Sequence, residues 1–241
     1  MDTKKQTLGT FYASPMGQLC LRYAEKQLDL LWDDWTDKRL LTIGYATPYF
    51  SYFQKKSLAS ITEIVFEGEP EKTLSLKTSE NSFPFKCKTF DRIFSAATLE
   101  RVSFPKAFLQ EVRRVLRPDG SFILMTINKR HHLDSYKNSA FAAGTLYTAA
   151  QVKELLEENM FRVQKQKTCL FLPPDTYKQT PYSDVFEQKL QTYAFFNGAF
   201  ILTKATVLNA LEVPVSHPCI KNEGGLSLLP AYERTENGKV Y

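Results

Sequence analysis

The sequence lacks several features that would assign a protein to a class at once. No run of about 18 apolar residues occurs, and no apolar segment follows the first lysines, so neither a membrane span nor a signal peptide is predicted. The four cysteines stand singly without CxxC spacing, which predicts neither a zinc site nor a disulfide framework. We therefore expect a cytoplasmic protein whose cysteines are small buried side chains, with no metal site.

The chain also has only a small excess of charge of one sign. The formal net charge is +5 over 241 residues, and the basic residues stand mostly as isolated helix-surface charges. Nucleic acid stays open as a partner but is not favoured by this pattern. With 43% hydrophobic and 24% charged residues, the composition predicts a soluble globular domain with one full core.

Apolar runs alternate with helical stripes along most of the chain. This alternation predicts an α/β fold, a doubly wound, Rossmann-like and mostly parallel sheet whose ligands bind at the carboxyl ends of the strands. The helical stripes lie at 18–32, 105–116 and 148–159, the first of them after an SPMG turn, and Pro48 is expected at the start of a further helix over 47–53. Strands are predicted at 40–43, 61–66, 74–76, 90–95, 121–127 and 199–203.

The chain shows no internal repeat and no low-complexity tract. We predict one domain over 1–204, in which the aromatic and proline-rich segment 168–199 forms a small inserted helical cap. The segment 205–241 loses periodicity beyond Glu212 and is predicted to be a C-terminal tail.

Residues 90–128 carry a set of short motifs in a fixed order. They are Phe90-Asp91, Leu99-Glu100-Arg101, the VLRPDG segment at 115–120, and Ile127-Asn128. This block resembles the class I S-adenosylmethionine-dependent methyltransferases, in particular the small-molecule-type methyltransferase domain, and the resemblance extends over roughly residues 10 to 167. It implies S-adenosylmethionine as the cofactor and methyl transfer as the activity.

The loop after the first strand is the main departure from that family. In the family this loop usually has a sequence like LDLGCGTGYF. The corresponding segment of this chain is LTIGYATPYF, which keeps Gly44 but has Ala46 and Pro48 in place of two glycines. Glycines in this loop accept unusual dihedral angles and let the backbone approach a ligand. Because Ala46 adds a methyl group and Pro48 removes a donor, we expect a narrowed cofactor cleft that is still present.

The resemblance implies further cofactor contacts, each with a plainer alternative. Glu67 would bind the ribose hydroxyls or belong to a solvated turn, and Ser79 with Glu80 would stand at the adenine. Tyr12 would close over the methionine moiety or serve core packing. The complete set of predicted cofactor-binding residues is Tyr12, Gly44, Tyr45, Ala46, Glu67, Ser79, Glu80, Ser95 and Ala96.

No catalytic dyad is visible, and methyl transfer from a sulfonium does not require one. His131 and His132 follow the predicted strand end at Asn128 and are candidates for a general base, although loop histidines are often simply exposed. The SAAT loop at 95–98 lacks an NPPY-type motif and there is no Pro-Cys dipeptide, so a small-molecule acceptor is favoured over a DNA base. Two alternatives remain open: a catalytically degenerate binding or regulatory protein, and an RNA-binding protein that uses a basic cap face.

Overall fold

The protein forms a seven-stranded α/β sheet with helices on both faces. The computed structural model describes residues 8–66, 75–130, 144–171, 189 and 198–208. The strand order is β3-β2-β1-β4-β5-β7-β6, in which β1 to β5 pair in parallel and β7 runs antiparallel to both β5 and β6. The predicted doubly wound, mostly parallel sheet is therefore confirmed.

The bounds of the elements within the described residues are as follows. The helices are α1 (Leu8–Ala13), α2 (Pro15–Leu31), α3 (Phe50–Gln54), α4 (Pro105–Val115) and α5 (Ala149–Glu158), with a 3-10 turn at Thr47–Tyr49 before α3. The strands are β1 (Arg39–Gly44), β2 (Ser60–Phe66), β3 (Ser75–Thr78), β4 (Phe90–Ala96), β5 (Leu116–Ile127), β6 (Phe161–Cys169) and β7 (Phe200–Val207).

The three central strands lie side by side, as their apolar continuity predicts. In the register between β1 and β4, Gly44 lies opposite Ala96, and Ala96 in turn lies opposite Met125 on β5. Because both faces of the sheet are covered, these strands carry buried residues at nearly every position. One face is covered by α1, α2 and α3, and the other by α4 and α5.

The N-terminal segment differs from the prediction. The SPMG stretch is the beginning of α2, because the Ser14 hydroxyl accepts a hydrogen bond from the Gly17 amide at 3.1 Å and Pro15 occupies the first turn. The short helix α1 precedes it and was not predicted. A six-residue helix has little periodicity of its own, so its existence depends on packing of Leu8, Phe11 and Tyr12 into the core.

The strand β6 was also not predicted. It is an edge strand whose sequence, FRVQKQKTC, contains three basic residues, and most of its side chains are partly or fully exposed. Charged side chains are common on edge strands, because they discourage pairing with another chain. The sequence of β6 therefore carries little apolar signal from which a strand could be predicted.

The predicted cap and the predicted tail are described only in part. Because β6 continues to Cys169, strand residues occupy the first two positions of the cap at 168–199. The strand β7 continues to Val207, three residues into the tail at 205–241. The rest of the tail beyond residue 208 lies outside the described residues, as does the rest of the cap apart from Leu170, Phe171, Lys189, Gly198 and Ala199.

The cysteines follow the expectation in part. Cys20 and Cys169 are fully buried, as predicted for small hydrophobic side chains. Cys87 is disulfide-bonded, which the single spacing of the cysteines did not predict.

None of the helices in the described ranges combines the length and the apolar character that a bilayer crossing requires.

Candidate cofactor site

The carboxyl ends of β1 and β4 meet at the point where the strand order reverses. The chain leaves β1 toward the α3 face of the sheet and leaves β4 toward the α4 face, so the two connections diverge. Such a divergence opens a crevice at the carboxyl edge of the sheet, which is where ligands of doubly wound folds bind. The register pairs the predicted site residues Gly44 and Ala96 directly with each other at this edge of the sheet.

Gly44 has a conformation that only glycine adopts easily. Its φ is +72°, and a Cβ added there would lie 2.1 Å from the Thr98 Oγ1. That hydroxyl lies 3.2 Å from both the Ile43 and the Ala96 carbonyl oxygens, to which it can donate. The close approach at Gly44 is thus made by the chain's own β4 loop. The glycine pattern predicts a ligand at this position and does not identify Thr98.

The two replaced glycines are accommodated without backbone strain. Ala46 has φ −88°, its side chain is buried, and its amide donates to the Gly44 carbonyl at 2.8 Å. Pro48 lies in the first turn of the 3-10 segment, as predicted, where its missing N–H costs nothing. The Thr47 hydroxyl donates to the buried Glu63 carboxylate at 2.7 Å, which ties this loop to β2.

Three tyrosines pack beside this loop. The ring of Tyr12 is stacked on Tyr45, with centroids 5.8 Å apart, and its hydroxyl lies 3.3 Å from that of Tyr49. Burial raises the pKa of the Tyr12 and Tyr49 hydroxyls far above their usual range. Tyr12 is therefore a neutral core residue that also covers the predicted site residue Tyr45, so its two proposed roles are compatible in space.

Ser95 and Ala96 occupy different depths at the end of β4. Ser95 is fully buried between Ile43 and Leu124 on the neighbouring strands, and its hydroxyl has no hydrogen-bond partner in the described part of the chain. Ala96 is the last strand residue, and Ala97 beyond it has φ +51°. Only the backbone at 96–97 reaches the edge, so Ser95 lies beneath the crevice.

Glu100 is a buried carboxyl group that the sequence analysis recognised only as part of a motif. Its Oε1 accepts a hydrogen bond from the Ile127 amide at 2.6 Å, at the end of β5. Burial raises the pKa of this carboxyl to about 7, although the Ile127 amide and the Arg101 charge oppose the rise. The Glu100 side chain therefore joins the ends of β4 and β5 and titrates near neutral pH.

Ser79 and Glu80, the predicted adenine contacts, lie in the exposed connection after β3. The Ser79 hydroxyl contacts the Asn81 side chain, and the Glu80 Oε2 accepts from the Ser103 amide at 2.8 Å. Glu80 thus holds the segment that leads into α4. Glu80 is half-buried in the connection after β3, and its contact with the adenine stays a prediction.

Two residues of α4 organise the segment that follows β3. The Arg114 guanidinium donates to the carbonyls of Phe83 and Phe85 at 2.9 and 2.7 Å, and the Glu111 Oε2 accepts from the Phe83 amide at 2.7 Å. Glu111 and Arg114 also pair with each other at 2.7 Å. Because the partners are backbone groups distant in sequence, no motif could have revealed this clamp.

Glu67, His131 and His132 lie outside the described residues, so their predicted roles remain predictions. The strand end that precedes the histidines is nevertheless well fixed. Asn128 is buried, its Nδ2 donates to the Gly198 carbonyl at 2.9 Å, and its Oδ1 accepts from the Arg130 amide at 3.0 Å.

The described residues fit S-adenosylmethionine at its methionine end. The loop keeps a positive-φ glycine at the switch point, and a buried carboxylate oxygen of Glu100 that is unpartnered within the described residues lies at the neighbouring strand ends. An unpartnered polar oxygen at such an edge is typical of a ligand site. The ribose and adenine end depends on Glu67 and on the exposed connection after β3.

Comparison with known families and structures agrees with this fold. Residues 58–124 match the family model described as a methyltransferase domain, which confirms the predicted resemblance over that segment. The match covers β2 to most of β5 and leaves the β1 loop outside. No curated protein sequence matches the chain significantly.

Solved structures share the fold at low identity. An S-adenosylmethionine-dependent methyltransferase from Mesorhizobium loti superposes with a TM-score of 0.56 at 14% identity, over 77% of this chain and 99% of that one. A Haloferax volcanii protein assigned as a methyltransferase, in complex with the Trm112 methyltransferase activator, has a TM-score of 0.57 at 16% identity, over 82% and 96%. The cyclase SpnF has a TM-score of 0.58 at 16% identity, over 80% and 83%. These likenesses show the fold and leave the reaction open.

Proposed function

We propose that this chain, which has the class I methyltransferase fold and matches the methyltransferase domain family over residues 58–124, transfers a methyl group from S-adenosylmethionine to a small-molecule acceptor. The observation that carries the proposal is the unstrained loop after β1. Gly44 keeps φ +72° although Ala46 and Pro48 replace two glycines, so the backbone required at the switch point is preserved.

The residues that would hold the cofactor come from four strand ends. The backbone of the Gly44–Ala46 loop and the end of β4 at Ala96 would hold the methionine portion, with Tyr12 above Tyr45 as a cover. Glu67 would accept hydrogen bonds from the ribose hydroxyls, and Ser79 with Glu80 would stand near the adenine. When bound, the cofactor supplies a methyl group on a positively charged sulfur, which leaves as a neutral thioether.

What this chain contributes to the reaction is mainly position. A sulfonium is already activated, so the protein has to hold the nucleophile in line with the methyl carbon and accept a proton where the acceptor carries one. Burial of the site also excludes water. The SAAT loop offers no planar-amine grip of the NPPY type, which supports a small-molecule acceptor over a nucleic-acid base.

A non-catalytic binding or regulatory function is the second candidate, and the tyrosine cluster favours it. Tyr12 and Tyr49 are buried and bonded to each other beside the loop, and Thr98 fills the space over Gly44. If these side chains take the volume of the methionine moiety, the fold would persist without the cofactor.

The protein's setting is also part of the proposal. We place it in the cytoplasm with a small-molecule substrate, and we do not favour nucleic acid as a partner. The complex of the Haloferax volcanii protein with its activator keeps a protein partner open for this chain as well.

Calorimetric titration with S-adenosylmethionine and S-adenosylhomocysteine separates the two candidates. We expect weak binding near 1 μM or above, equivalent to about 8 kcal/mol or less, because Pro48 removes one donor from the loop. Absence of heat at millimolar ligand, together with an unchanged melting temperature, would favour the non-catalytic function.

The Glu67→Gln variant tests the ribose contact in the same assay. The change is nearly isosteric and should leave folding unaltered, while loss of the carboxylate should weaken the cofactor by about 1.5 to 3 kcal/mol. A matched control is Glu154→Gln, an exposed residue on α5. Unchanged affinity in Glu67→Gln would move the ribose contact to Glu69 or to the backbone.

A further inference from the structure

The side chain of Glu100 has one oxygen in use and one without a partner. It is only 5% exposed, its Oε1 is fixed by the Ile127 amide, and its Oε2 has no hydrogen-bond partner within the ranges that the structure describes. A buried polar atom of this kind is costly unless something binds it. The unused oxygen therefore requires an explanation beyond the packing of the core.

Structure alone does not require a carboxylate at this position. The bond to the Ile127 amide needs only one acceptor oxygen, which a glutamine side chain of the same shape would supply without a buried charge. Within the described residues the ionisable group adds a cost of burial, and besides the Ile127 amide its charged form is favoured only by the Glu100 amide itself and by the Arg101 charge. A ligand that binds the second oxygen would account for a carboxylate at this position.

The contacts of Glu100 lie at the ends of β4 and β5, beside the crevice. The Thr145 amide donates to the Glu100 carbonyl at 2.8 Å, so the segment that begins at Gly144 packs on it. That segment also meets the end of β5, where Tyr147 bridges to Asn128. The crevice between the ends of β1 and β4 adjoins these strand ends, because β4 is paired with both β1 and β5.

The titratable and charged groups around Glu100 come from three segments. Tyr12 on α1 and Tyr147 beyond the end of β5 both have their pKa raised by burial first and by the Glu100 charge to a smaller degree. Arg101, the next residue in the chain, is the cationic neighbour and opposes the rise in the Glu100 pKa. The buried phenol of Tyr12 and the half-buried phenol of Tyr147 therefore lie near the buried carboxyl group of Glu100.

We propose that the Glu100 Oε2 receives the nucleophilic nitrogen of an amine acceptor and takes its proton, an inference that depends on the methyl transfer proposed above. The acceptor ammonium first gives a proton to Oε2, which frees the nitrogen lone pair; the lone pair then forms the bond to the methyl carbon, the electrons of the carbon–sulfur bond stay on sulfur, and the methylated nitrogen carries the positive charge. The carboxylate becomes a neutral acid, and the thioether leaves uncharged.

An amine suits this carboxyl group better than an alcohol does. A base with a pKa of about 7 is much closer to an alkylammonium group, with a value of about 10, than to an aliphatic hydroxyl group. The carboxylate can also attract the ammonium form before the proton is transferred, which an oxygen acceptor would not offer. Both considerations follow from burial of the group and from its position at the strand ends.

Two cofactor analogues test this inference without knowledge of the acceptor. S-adenosylhomocysteine has no group beyond its sulfur, whereas sinefungin presents an ammonium where the methyl group would stand. The test is to measure the affinities for S-adenosylhomocysteine and for sinefungin by calorimetry from about pH 6 to about pH 8.5. Over this range the ammonium keeps its charge and Glu100 ionises. The preference for sinefungin over S-adenosylhomocysteine should rise about tenfold over this range, the worth of one charged hydrogen bond.

Glu100→Gln is the matched variant, because it keeps the bond to Ile127 and removes the charge. Its preference for sinefungin should be small and flat with pH, whereas Glu63→Gln, another buried carboxyl replaced by its amide, should keep the wild-type pH midpoint. Should Glu100→Gln fail to fold, the wild type is compared with the double variant His131→Gln/His132→Gln, in which the rise should persist if Glu100 is the titrating group and should disappear if a histidine is.

The outcomes separate this inference from the proposed function. Binding of both analogues with a preference that does not change with pH would overturn the role of Glu100 and leave cofactor binding intact. Absence of binding by either analogue would overturn both. A rising preference in the wild type that persists in Glu100→Gln would assign the base to another residue and also contradict the inference.

Discussion

Acidic side chains are paired differently at the amino ends of the strands, here called the amino edge of the sheet, and at their carboxyl ends, the carboxyl edge. At the amino edge, Asp91 at the start of β4 accepts from the Arg39 amide at 2.9 Å and pairs with Arg39 and Arg117 at 3.3 and 3.1 Å. These groups are partly exposed, and both Asp91 oxygens are used. At the carboxyl edge, Glu100 is buried and keeps one oxygen unused within the described residues.

This difference separates stability from function within one fold. Partly exposed ion pairs contribute little and cost little, so the amino edge can be satisfied locally. A buried carboxyl without a full set of partners lowers stability, and such groups are found chiefly where a ligand completes them. Substitutions at the carboxyl edge should therefore change stability in ways that depend on strain and on pH, whereas substitutions at the amino edge should have small effects.

The largest expected effect is at Gly44. Replacement with valine combines a positive φ with a side chain directed at the Thr98 hydroxyl, so we expect a loss of about 3 to 5 kcal/mol in the free energy of unfolding. Urea denaturation measures it. The effect on folding prevents this variant from testing cofactor binding.

A smaller substitution at the same position separates the cost of the positive φ from the cost of contact with Thr98. Gly44→Ala should cost about 1 to 3 kcal/mol from φ alone, with an added penalty from Thr98. In the double variant with Thr98→Ala, the penalty from contact with Thr98 should be recovered, whereas the penalty from the positive φ should remain. If the double variant is destabilised by the sum of the two single effects, the contact between Gly44 and Thr98 does not limit this position.

The pH dependence of stability should depend on Glu100. Its pKa is raised from 4.5 in the unfolded chain to about 7, so the folded state favours the protonated form, and the stability that Glu100 contributes is fully present below about pH 4.5. This contribution is lost as pH rises through about 7. Glu100→Gln should remove the loss and be more stable than the wild type at about pH 8, by at most about 3 kcal/mol, with a smaller difference at about pH 5.

Chemical denaturation of both proteins across this pH range measures the effect. A difference between wild type and Glu100→Gln that stays constant from about pH 5 to about pH 8 would show that Glu100 has an ordinary pKa. It would also remove the contrast between the two edges.

The smallest effect is expected at the amino edge. Asp91→Asn keeps an acceptor oxygen for the Arg39 amide and loses only the charge, so it should cost about 1 kcal/mol or less. It should leave the affinity for S-adenosylhomocysteine unchanged, because Asp91 lies at the opposite end of β4 from Ala96. A loss of cofactor affinity in this variant would contradict the assignment of functions to the two edges.

The sequence predicted the parts of the molecule that depend on local pattern. The central strands follow from continuous apolar runs such as SFILMTI, and α5 from its capping box, in which Thr148 and Gln151 bond reciprocally as expected. The fold class follows from their alternation. These features need no knowledge of distant contacts.

The site was less accessible to prediction, because its contacts join residues far apart in the chain. Gly44 was identified, but the group that crowds it is Thr98, which only the pairing of β1 with β4 brings near. The unused oxygen of Glu100 depends on the end of β5 and on the segment at 144–147. Likewise, α1 and β6 have weak patterns and are formed through packing and pairing.

The central claim is that the carboxyl edge of this sheet binds S-adenosylmethionine. The most direct test is to follow backbone amide resonances by NMR during titration with S-adenosylhomocysteine. The account predicts shifts at Gly44, Ala97 and Glu100, while Arg39 and Gly120 at the amino edge stay unchanged. Shifts confined to the amino edge, or none at millimolar ligand, would contradict it.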